Sequence, residues 1–173
     1  MPTYVALLRG INVGGARKVP MSDLRASFAA LGHTDVRTYI QSGNVVFGAR
    51  SGTAARVRAA LEARIAADFG FEVTVLLRTA TELTATIKKN PFGDSAYVTF
   101  LEGAADARKV KTIDAGAYAP DEFAVSGREV FVHCPNGYGR TKINNTFFER
   151  KLSTRATTRN WNTVTLLHDW ATA

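Results

Sequence analysis

The order of apolar segments in the first eighty residues restricts the possible folds more than any other feature of this chain. β-Branched and apolar runs at residues 4–8, 36–40, 45–47 and 72–77 predict four strands. Apolar residues at helical spacing predict two helices, which end at Gly32 and Gly70. The resulting order, β-α-β-β-α-β, is that of a ferredoxin-like fold.

The second half of the chain repeats this order in part. A capping-box sequence at residues 79–82 predicts a short helix that ends at Asn90-Pro91. After it, the sequence predicts strands at 97–101, 122–125 and 129–133, and helices at 106–113, 143–151 and 161–170. We therefore predict an α+β fold with a ferredoxin-like subdomain at 1–78 and a second, partial ferredoxin-like subdomain at 79–173. We expect the second to pack against the first, so that the two also count as one domain.

The charge of the chain favours an anionic partner. Its 173 residues include 22 Lys and Arg against 15 Asp and Glu, which gives a net charge of +7 and a pI near 9.9. Such a balance is typical of proteins that bind nucleic acid or phosphorylated small molecules, although a soluble enzyme with a basic surface has it as well. Residues 137–159 are the most biased segment, with six cations and one acid, Glu149.

The cysteine and histidine content argues against a metal or disulfide framework. Cys134 is the only cysteine, and the three histidines have no ligand-like spacing, so we expect no metal and no other cofactor. Cys134 follows His133 in the sequence, and its side chain is either a packed thiol or a nucleophile. The chain has no apolar run long enough to span a membrane and no signal-peptide pattern at its N-terminus, so we expect a cytoplasmic protein without a membrane partner.

A glycine-rich basic loop follows the first strand and carries Arg9, Asn12 and Arg17. Its glycines resemble those of phosphate-binding loops, but Ala16 and Arg17 stand where such loops need Lys and Ser or Thr. Two interpretations remain open. The loop binds an anion through its cations and backbone N–H groups, or its glycines only provide unusual backbone angles.

The predicted hairpin between the second and third strands carries Gln41, Ser42 and Asn44. A ferredoxin-like topology brings this hairpin to the same sheet edge as the loop after the first strand. Its polar side chains could then contact a base or a sugar, although Ser, Gly and Asn are also ordinary turn residues.

Two further segments carry candidate ligand-binding residues. Arg140 and Lys142 lie in a second glycine-rich basic loop, which either holds a phosphate or is an ordinary surface loop. Arg159 and Trp161 flank Asn160 at the start of the last predicted helix. They form either a platform for a nucleobase or a capped helix start whose Trp161 anchors the core.

Five motifs in the same order resemble the bacterial domain-of-unknown-function family 1697. These are YVALLRGINVGG, RTYIQSGNVVF, NPF, REVFVHCPNGYGRTK and TTRNWNTV. Thr141 replaces the serine that is typical after the glycine-arginine pair, which is a conservative departure. The resemblance implies an α+β fold of ferredoxin-like character and no assigned activity. RNA-recognition motifs share this order, but the third strand here offers only Phe47 for base stacking.

The sequence therefore leaves three functional hypotheses. The first is a protein that binds nucleic acid, a nucleotide or another phosphorylated small molecule. The second is an enzyme that acts on a small anionic substrate, although no catalytic residue can be named. The third is a structural or interaction module. Nothing in the sequence indicates the oligomeric state.

Overall fold

The computed structural model describes residues 2–173, which form two compact units. The first unit contains the segment that ends at Thr84 together with Leu166–Ala173, and the second unit is Ala85–Thr165. Both contain helices and a four-stranded antiparallel sheet, so the predicted α+β class is confirmed. The predicted division into domains at residue 78 stays a prediction.

The sheet of the first unit has the strand order β2-β3-β1-β4, and all its neighbours are antiparallel. Its strands are β1 (Thr3–Leu8), β2 (Thr34–Tyr39), β3 (Asn44–Gly48) and β4 (Val75–Thr79). Leu7 pairs with Asn44 of β3, and Leu8 pairs with Val75 of β4. The end of β1, the β2–β3 hairpin and the start of β4 therefore meet at one edge of the sheet.

Helices α1 (Met21–Ala30) and α2 (Ala54–Phe69) cover one face of this sheet. Thr53 caps α2 by accepting a hydrogen bond from the N–H of Arg56, and Gly70 ends it with a φ of 79°. The apolar stripes of both helices are buried in a common core with β1, β3 and β4. Full burial of each large apolar side chain contributes about 2 kcal/mol to the free energy of folding.

Two helices connect the units along the chain. They are α3 (Ala80–Lys89) and α6 (Trp161–Thr172), which follow β4 and the last strand of the second unit. The last turns of α6 belong to the first unit, where the ring of Trp170 lies 6.0 Å from that of Tyr39 and 3.8 Å from the guanidinium of Arg37. His168 Nε2 and Thr84 Oγ1 form a hydrogen bond of 2.8 Å.

The sheet of the second unit repeats the topology of the first, with the order β6-β7-β5-β8. Its strands are β5 (Tyr97–Leu101), β6 (Glu122–Ser126), β7 (Glu129–His133) and β8 (Ala156–Asn160). The sequence does not predict β8, because the polar residues at 156–160 resemble the start of a helix. The hydroxyl groups of Thr158 and Thr99 form a hydrogen bond of 2.8 Å within the sheet. A polar segment can therefore form this edge strand. The second half is thus a complete β-α-β-β-α-β unit followed by α6.

Helix α5 (Asn145–Leu152) buries Phe147 and Phe148 against this second sheet. The helix predicted at 106–113 is reduced to α4 (Ala107–Val110), which is capped by Asp106. Short 3₁₀ turns occur at Gly93–Ser95, Ala115–Tyr118 and Tyr138–Arg140. Among residues 2–173, no helix has the length and apolar character needed to cross a membrane.

Candidate ligand-binding sites

Asn12 joins the two predicted polar segments at the sheet edge of the first unit. Its Nδ2 donates to the main-chain oxygens of Gln41, at 2.7 Å, and Val19, at 3.0 Å. Its Oδ1 accepts from the N–H of Val19 at 2.8 Å. The loop after β1 and the β2–β3 hairpin therefore lie against each other, and their predicted convergence is confirmed.

The amides of Asn12 and Asn44 hold the loops in place. Asn44 is fully buried, and its Nδ2 donates to Tyr39 O and to Ser42 Oγ, both at 2.9 Å. Next to Asn44, the backbone of Gly43 packs too closely against β1 to leave room for a side chain, because a Cβ there would lie 2.8 Å from Leu8 Cβ. These internal bonds fix the shape of the edge and leave ligand contact to its exposed side chains.

Arg17 supplies positive charge to this edge without an acidic partner. Its Nε donates to Gly10 O at 3.0 Å, another guanidinium nitrogen donates to Glu72 O, and the guanidinium lies 4.8 Å from the ring centre of Phe71. Carbonyl oxygens and a ring carry no net charge. Within the described residues, the cation of Arg17 is therefore not neutralised by an ion pair.

The glycines of this loop form a tight turn. Gly14 and Gly15 have φ angles of 59° and 78°, and the N–H of Ala16 donates to Val13 O at 3.0 Å. These angles are those that glycine adopts readily. The unusual-angle interpretation thus accounts for the glycines, and anion binding by the loop stays a prediction. The turn leaves Val13 64% exposed, and Ile40 in the hairpin is 50% exposed.

The second basic loop lines a cleft in the second unit. The cleft has a volume of about 310 Å³, and its wall includes Asn136, Gly137, Arg140, Lys142 and the carboxylate of Asp121. Arg140 and Lys142 are exposed. Asp121 Oδ2 accepts a hydrogen bond of 2.6 Å from the hydroxyl of Thr141 in the same loop. This cleft brings two cations and one oriented carboxylate together.

Arg159 and Trp161 do not form an exposed surface. Arg159 is 6% exposed, and its Nη1 donates to Thr157 Oγ1, at 2.5 Å, and to Thr158 O, at 3.0 Å. Burial lowers the pKa of its guanidinium to about 10, so it stays charged at neutral pH. Trp161 is 9% exposed, and Asn160 Oδ1 accepts from the N–H of Thr163 and so caps α6. The capped-helix interpretation fits this geometry better than a nucleobase platform.

A second cleft of about 360 Å³ is lined in part by the loop that begins at Cys134. Its wall includes Tyr97, Tyr138, Trp161 and Asn162. The two tyrosine rings stack with their centres 4.5 Å apart.

Within the described residues, no group of three or more His, Cys, Asp and Glu side chains could hold a metal ion.

Two features of this unit were not found from the sequence. Asp121 lies in a segment with ordinary turn composition, and nothing in its sequence placed it beside Arg140 and Lys142. Ser95 Oγ lies 3.1 Å from His133 Nδ1, and the imidazole stacks on the ring of Phe92. Each pairing joins segments that only tertiary folding brings together, so local patterns could not reveal them.

Comparison with known proteins places the chain in a family. The family described as "Protein of unknown function (DUF1697)" matches residues 1–131. The chain belongs to this family. This match confirms the family predicted from the sequence motifs, and the description of the family assigns no activity. The match ends within β7, so Arg140 and Lys142 lie beyond the matched region.

A solved structure extends the similarity over nearly the whole chain. It is that of a conserved bacterial protein from Streptococcus pneumoniae, which is 26% identical and covers 98% of both chains with a TM-score of 0.72. No curated protein matches the chain. The architecture of this DUF1697 member is therefore shared with a bacterial protein over both of its halves.

Proposed function

We propose that this DUF1697 protein binds a phosphate-bearing ligand, a nucleic acid or a nucleotide, at the basic sheet edge of its first unit. The residues assigned to this edge are Arg9, Asn12, Arg17, Gln41, Ser42 and Asn44. Arg9 and Arg17 provide the charge, whereas Asn12 and Asn44 hold the loop and the hairpin. Gln41 and Ser42 would contact a base or a sugar of the ligand.

The uncompensated charge of Arg17 is the observation that carries this proposal. Its guanidinium is held by carbonyl oxygens and a ring, and the adjacent Lys18 is exposed and makes no ion pair within residues 2–173. Fixed cations attract phosphate groups more than mobile ones do, because little side-chain entropy is lost on binding. Asn12 bonds to Gln41 and to Val19, and these contacts, which we call the Asn12 clasp, extend this preorganisation to the whole loop.

Exposed groups on both segments favour an extended ligand. Lys18 and Val13 are exposed on the loop, and Gln41 and Ile40 are exposed on the hairpin. A strand of nucleic acid could place phosphates near the cations and bases against the aliphatic side chains. Several phosphate contacts would make the affinity steeply dependent on salt.

Fluorescence anisotropy with short single-stranded RNA and DNA tests this proposal. Wild type and the Arg9→Gln/Lys18→Gln variant are titrated at about 50 and 200 mM salt, a range over which several phosphate contacts cost about 10³-fold in affinity. The matched control is Arg108→Gln/Lys111→Gln, which removes two exposed cations from the second unit.

We expect wild type and the control to bind with a steep salt dependence, and the Arg9/Lys18 variant to bind about tenfold or more weakly with a shallower slope. An equal loss in the control would assign the effect to net charge. Absence of binding by wild type to RNA, DNA and mononucleotides would contradict the proposal.

The second hypothesis, an enzyme for a small anionic substrate, has one observation in its favour. Asp121, Arg140 and Lys142 line the same cleft, which combines a carboxylate with two anion-binding groups.

A cytoplasmic location also stays part of the proposal, on the basis of the single cysteine.

A further inference from the structure

We propose that the cleft of the second unit, lined by Asp121, Arg140 and Lys142, binds a small phosphorylated sugar. Arg140 and Lys142 would hold the phosphate, and Asp121 would accept hydrogen bonds from hydroxyl groups of the sugar. The site is separate from the basic edge proposed above, because all of its residues lie in Ala85–Thr165. Each proposal can therefore fail without the other.

The two cations are available to a ligand. Both side chains are exposed, and neither forms a hydrogen bond or an ion pair with another part of the described chain. They are two residues apart on a loop that Thr141 anchors between them, through its N–H to Tyr138 O at 3.2 Å. Two cations on a fixed loop suit a phosphate monoester, which carries about 1.5 to 2 negative charges at neutral pH.

Asp121 determines which group must accompany the phosphate. One carboxylate oxygen, Oδ2, is used by Thr141 at 2.6 Å, and the same hydroxyl accepts from the N–H of Ile143 at 3.2 Å. Oδ1 accepts no hydrogen bond from residues 2–173. An ionised carboxylate only accepts, so its partner on a ligand must be a donor. Carboxylates that bind ribose hydroxyls in dinucleotide sites use this same chemistry.

The wall that carries Asp121 is well fixed. The N–H of Asp121 donates to Tyr118 O at 2.9 Å, and the ring of Tyr118 packs edge-on against Phe147 of the core at 5.1 Å. Elsewhere in the lining, the N–H of Gly137 donates to Cys134 O at 3.0 Å. A preformed cleft loses little conformational freedom on binding.

The size of the cleft limits the ligand to a small molecule. Its volume of about 310 Å³ is at the lower end of ligand pockets. A phosphorylated pentose or a mononucleotide fits this scale, with the base of a nucleotide extending from the open side. The combination of anion, hydroxyl donors and small size therefore specifies a sugar phosphate.

Isothermal titration calorimetry with ribose 5-phosphate is the direct test, with inorganic phosphate, ribose and phosphoethanolamine as comparison ligands. The variants are Arg140→Gln/Lys142→Gln and Asp121→Asn, the latter of which keeps an acceptor for Thr141. Matched controls are Lys111→Gln and Asp114→Asn, which change the same residue types on the exposed surface of this unit.

We expect wild type to bind ribose 5-phosphate more tightly than phosphate, and the cation variant to lose about tenfold or more for both. Asp121→Asn should lose about fivefold for ribose 5-phosphate, because a carboxylate acceptor for the sugar hydroxyls is removed, and should not weaken phosphate binding, because the change also removes a negative charge from the cleft. Both controls should bind as wild type does.

Nuclear magnetic resonance of the wild type keeps the test independent of the variants' folding. Addition of ribose 5-phosphate should shift the amide signals of residues 119–121 and 136–142. No saturable binding, shifts confined to other segments, or equal losses in the controls would overturn the proposal. Tighter binding of phosphoethanolamine would replace the sugar by an amine as the second group and so contradict the sugar assignment.

Discussion

The two sheets of this protein share one backbone scheme but carry different loops. At the edge of the first sheet, the N–H of Leu8 donates to Gly43 O in the β2–β3 hairpin at 2.9 Å; in the second sheet, Leu101 donates to Arg128 O in the β6–β7 hairpin at 2.8 Å. Each bond links the end of the first strand of a half to its hairpin. The same backbone hydrogen bond therefore occurs in both halves, from a leucine at the strand end to different residues of the hairpins.

The last strands of the two halves also correspond. Arg78 of β4 pairs with Val5, and Arg159 of β8 pairs with Val98, and both arginines are at least 94% buried. A capped helix follows each strand. The equivalent positions of two buried arginines show that burial of this side chain belongs to the repeated scaffold. Arg159 is therefore better explained as a structural residue than as a ligand contact.

The halves differ in which loop carries the candidate ligand-binding cations. In the first unit, the loop after β1 carries Arg17 and Lys18 beside the hairpin. In the second unit, the corresponding loop after β5 turns back at once, with the N–H of Ala105 bonded to Gly127 O at 2.9 Å, and Arg140 and Lys142 follow β7 instead. One scaffold can therefore present charge at different ends, and topology alone does not locate a site.

The largest expected difference between the two edges concerns their hairpin glycines. Gly43→Ala would place a Cβ 2.8 Å from Leu8 Cβ at a φ of 89°, whereas Gly127→Ala at a φ of 58° meets nothing within 4 Å. We expect Gly43→Ala to lower the free energy of unfolding by about 3 kcal/mol and Gly127→Ala by about 1 kcal/mol. Urea unfolding of both variants measures this, and equal losses would refute the idea that the first edge is the more tightly closed one.

The clasp of Asn12 distinguishes the first edge from the second. Asn12→Ala removes three side-chain hydrogen bonds and leaves a non-glycine residue without an amide at a φ of 54°. The expected loss is about 2 kcal/mol in thermal or urea unfolding. If amide hydrogen exchange around Val19 were the same in this variant as in the wild type, Asn12 would not be the clasp described here.

How much of this comparison the sequence predicts depends on the range of the interactions. The first half was predicted well because its apolar runs have clear periods and its caps, such as Thr53 and Gly70, are local. Strand β8 was missed because its stability comes from Thr158 and Arg159 contacts inside the sheet, which no local pattern shows. The beginning of β4 was predicted three residues early, since Val73 and Thr74 are β-branched but precede the strand, which begins at Val75.

The helix caps after the last strands should differ modestly. Thr79 and Glu82 cap α3 reciprocally, with bonds of 2.9 and 3.1 Å, whereas Asn160 caps α6 with one bond of 2.8 Å. Thr79→Ala and Asn160→Ala should each cost about 1 kcal/mol, because each removes one side-chain acceptor, and Thr79→Ala/Glu82→Ala should cost somewhat more, because only the double change removes both bonds of the box. Thermal unfolding measures all three variants, and Asn162→Ala serves as the control because its side chain is exposed. A larger loss for Asn160 would contradict the assignment.

The smallest expected effect is on the reactivity of Cys134. Burial raises the pKa of its thiol, a hydrogen bond with Thr141 opposes this rise, and the charge of Asp121 adds to it. A raised pKa leaves less thiolate at pH 8, so alkylation by iodoacetamide should be slower than for an exposed cysteine and should increase at higher pH. Asp121→Asn should move the inflection to lower pH, and Asp114→Asn should not move it. A shift in the opposite direction would contradict the placement of Asp121 beside this thiol.

The candidate sites show the same limit as the fold. Arg17 and Asn12 were found because a glycine-rich basic loop after a buried strand is visible in the sequence, and the ferredoxin-like order placed it near Gln41. Their separate roles, one as exposed charge and one as a clasp, follow only from the hydrogen bonds. Asp121 could not be found, because its neighbours in the cleft are 19 and 21 residues away along the chain.

The most direct test of the proposed function is an amide chemical-shift titration of the full chain with a short single-stranded RNA at low salt. If the basic edge binds phosphate-bearing ligands, signals of residues 9–18 and 41–44 will shift in a saturable manner, and the shifts will disappear in Arg9→Gln/Lys18→Gln but persist in Arg108→Gln/Lys111→Gln. Saturable shifts confined to other residues, or none at all with RNA, DNA and mononucleotides, would contradict a phosphate-binding role for this edge.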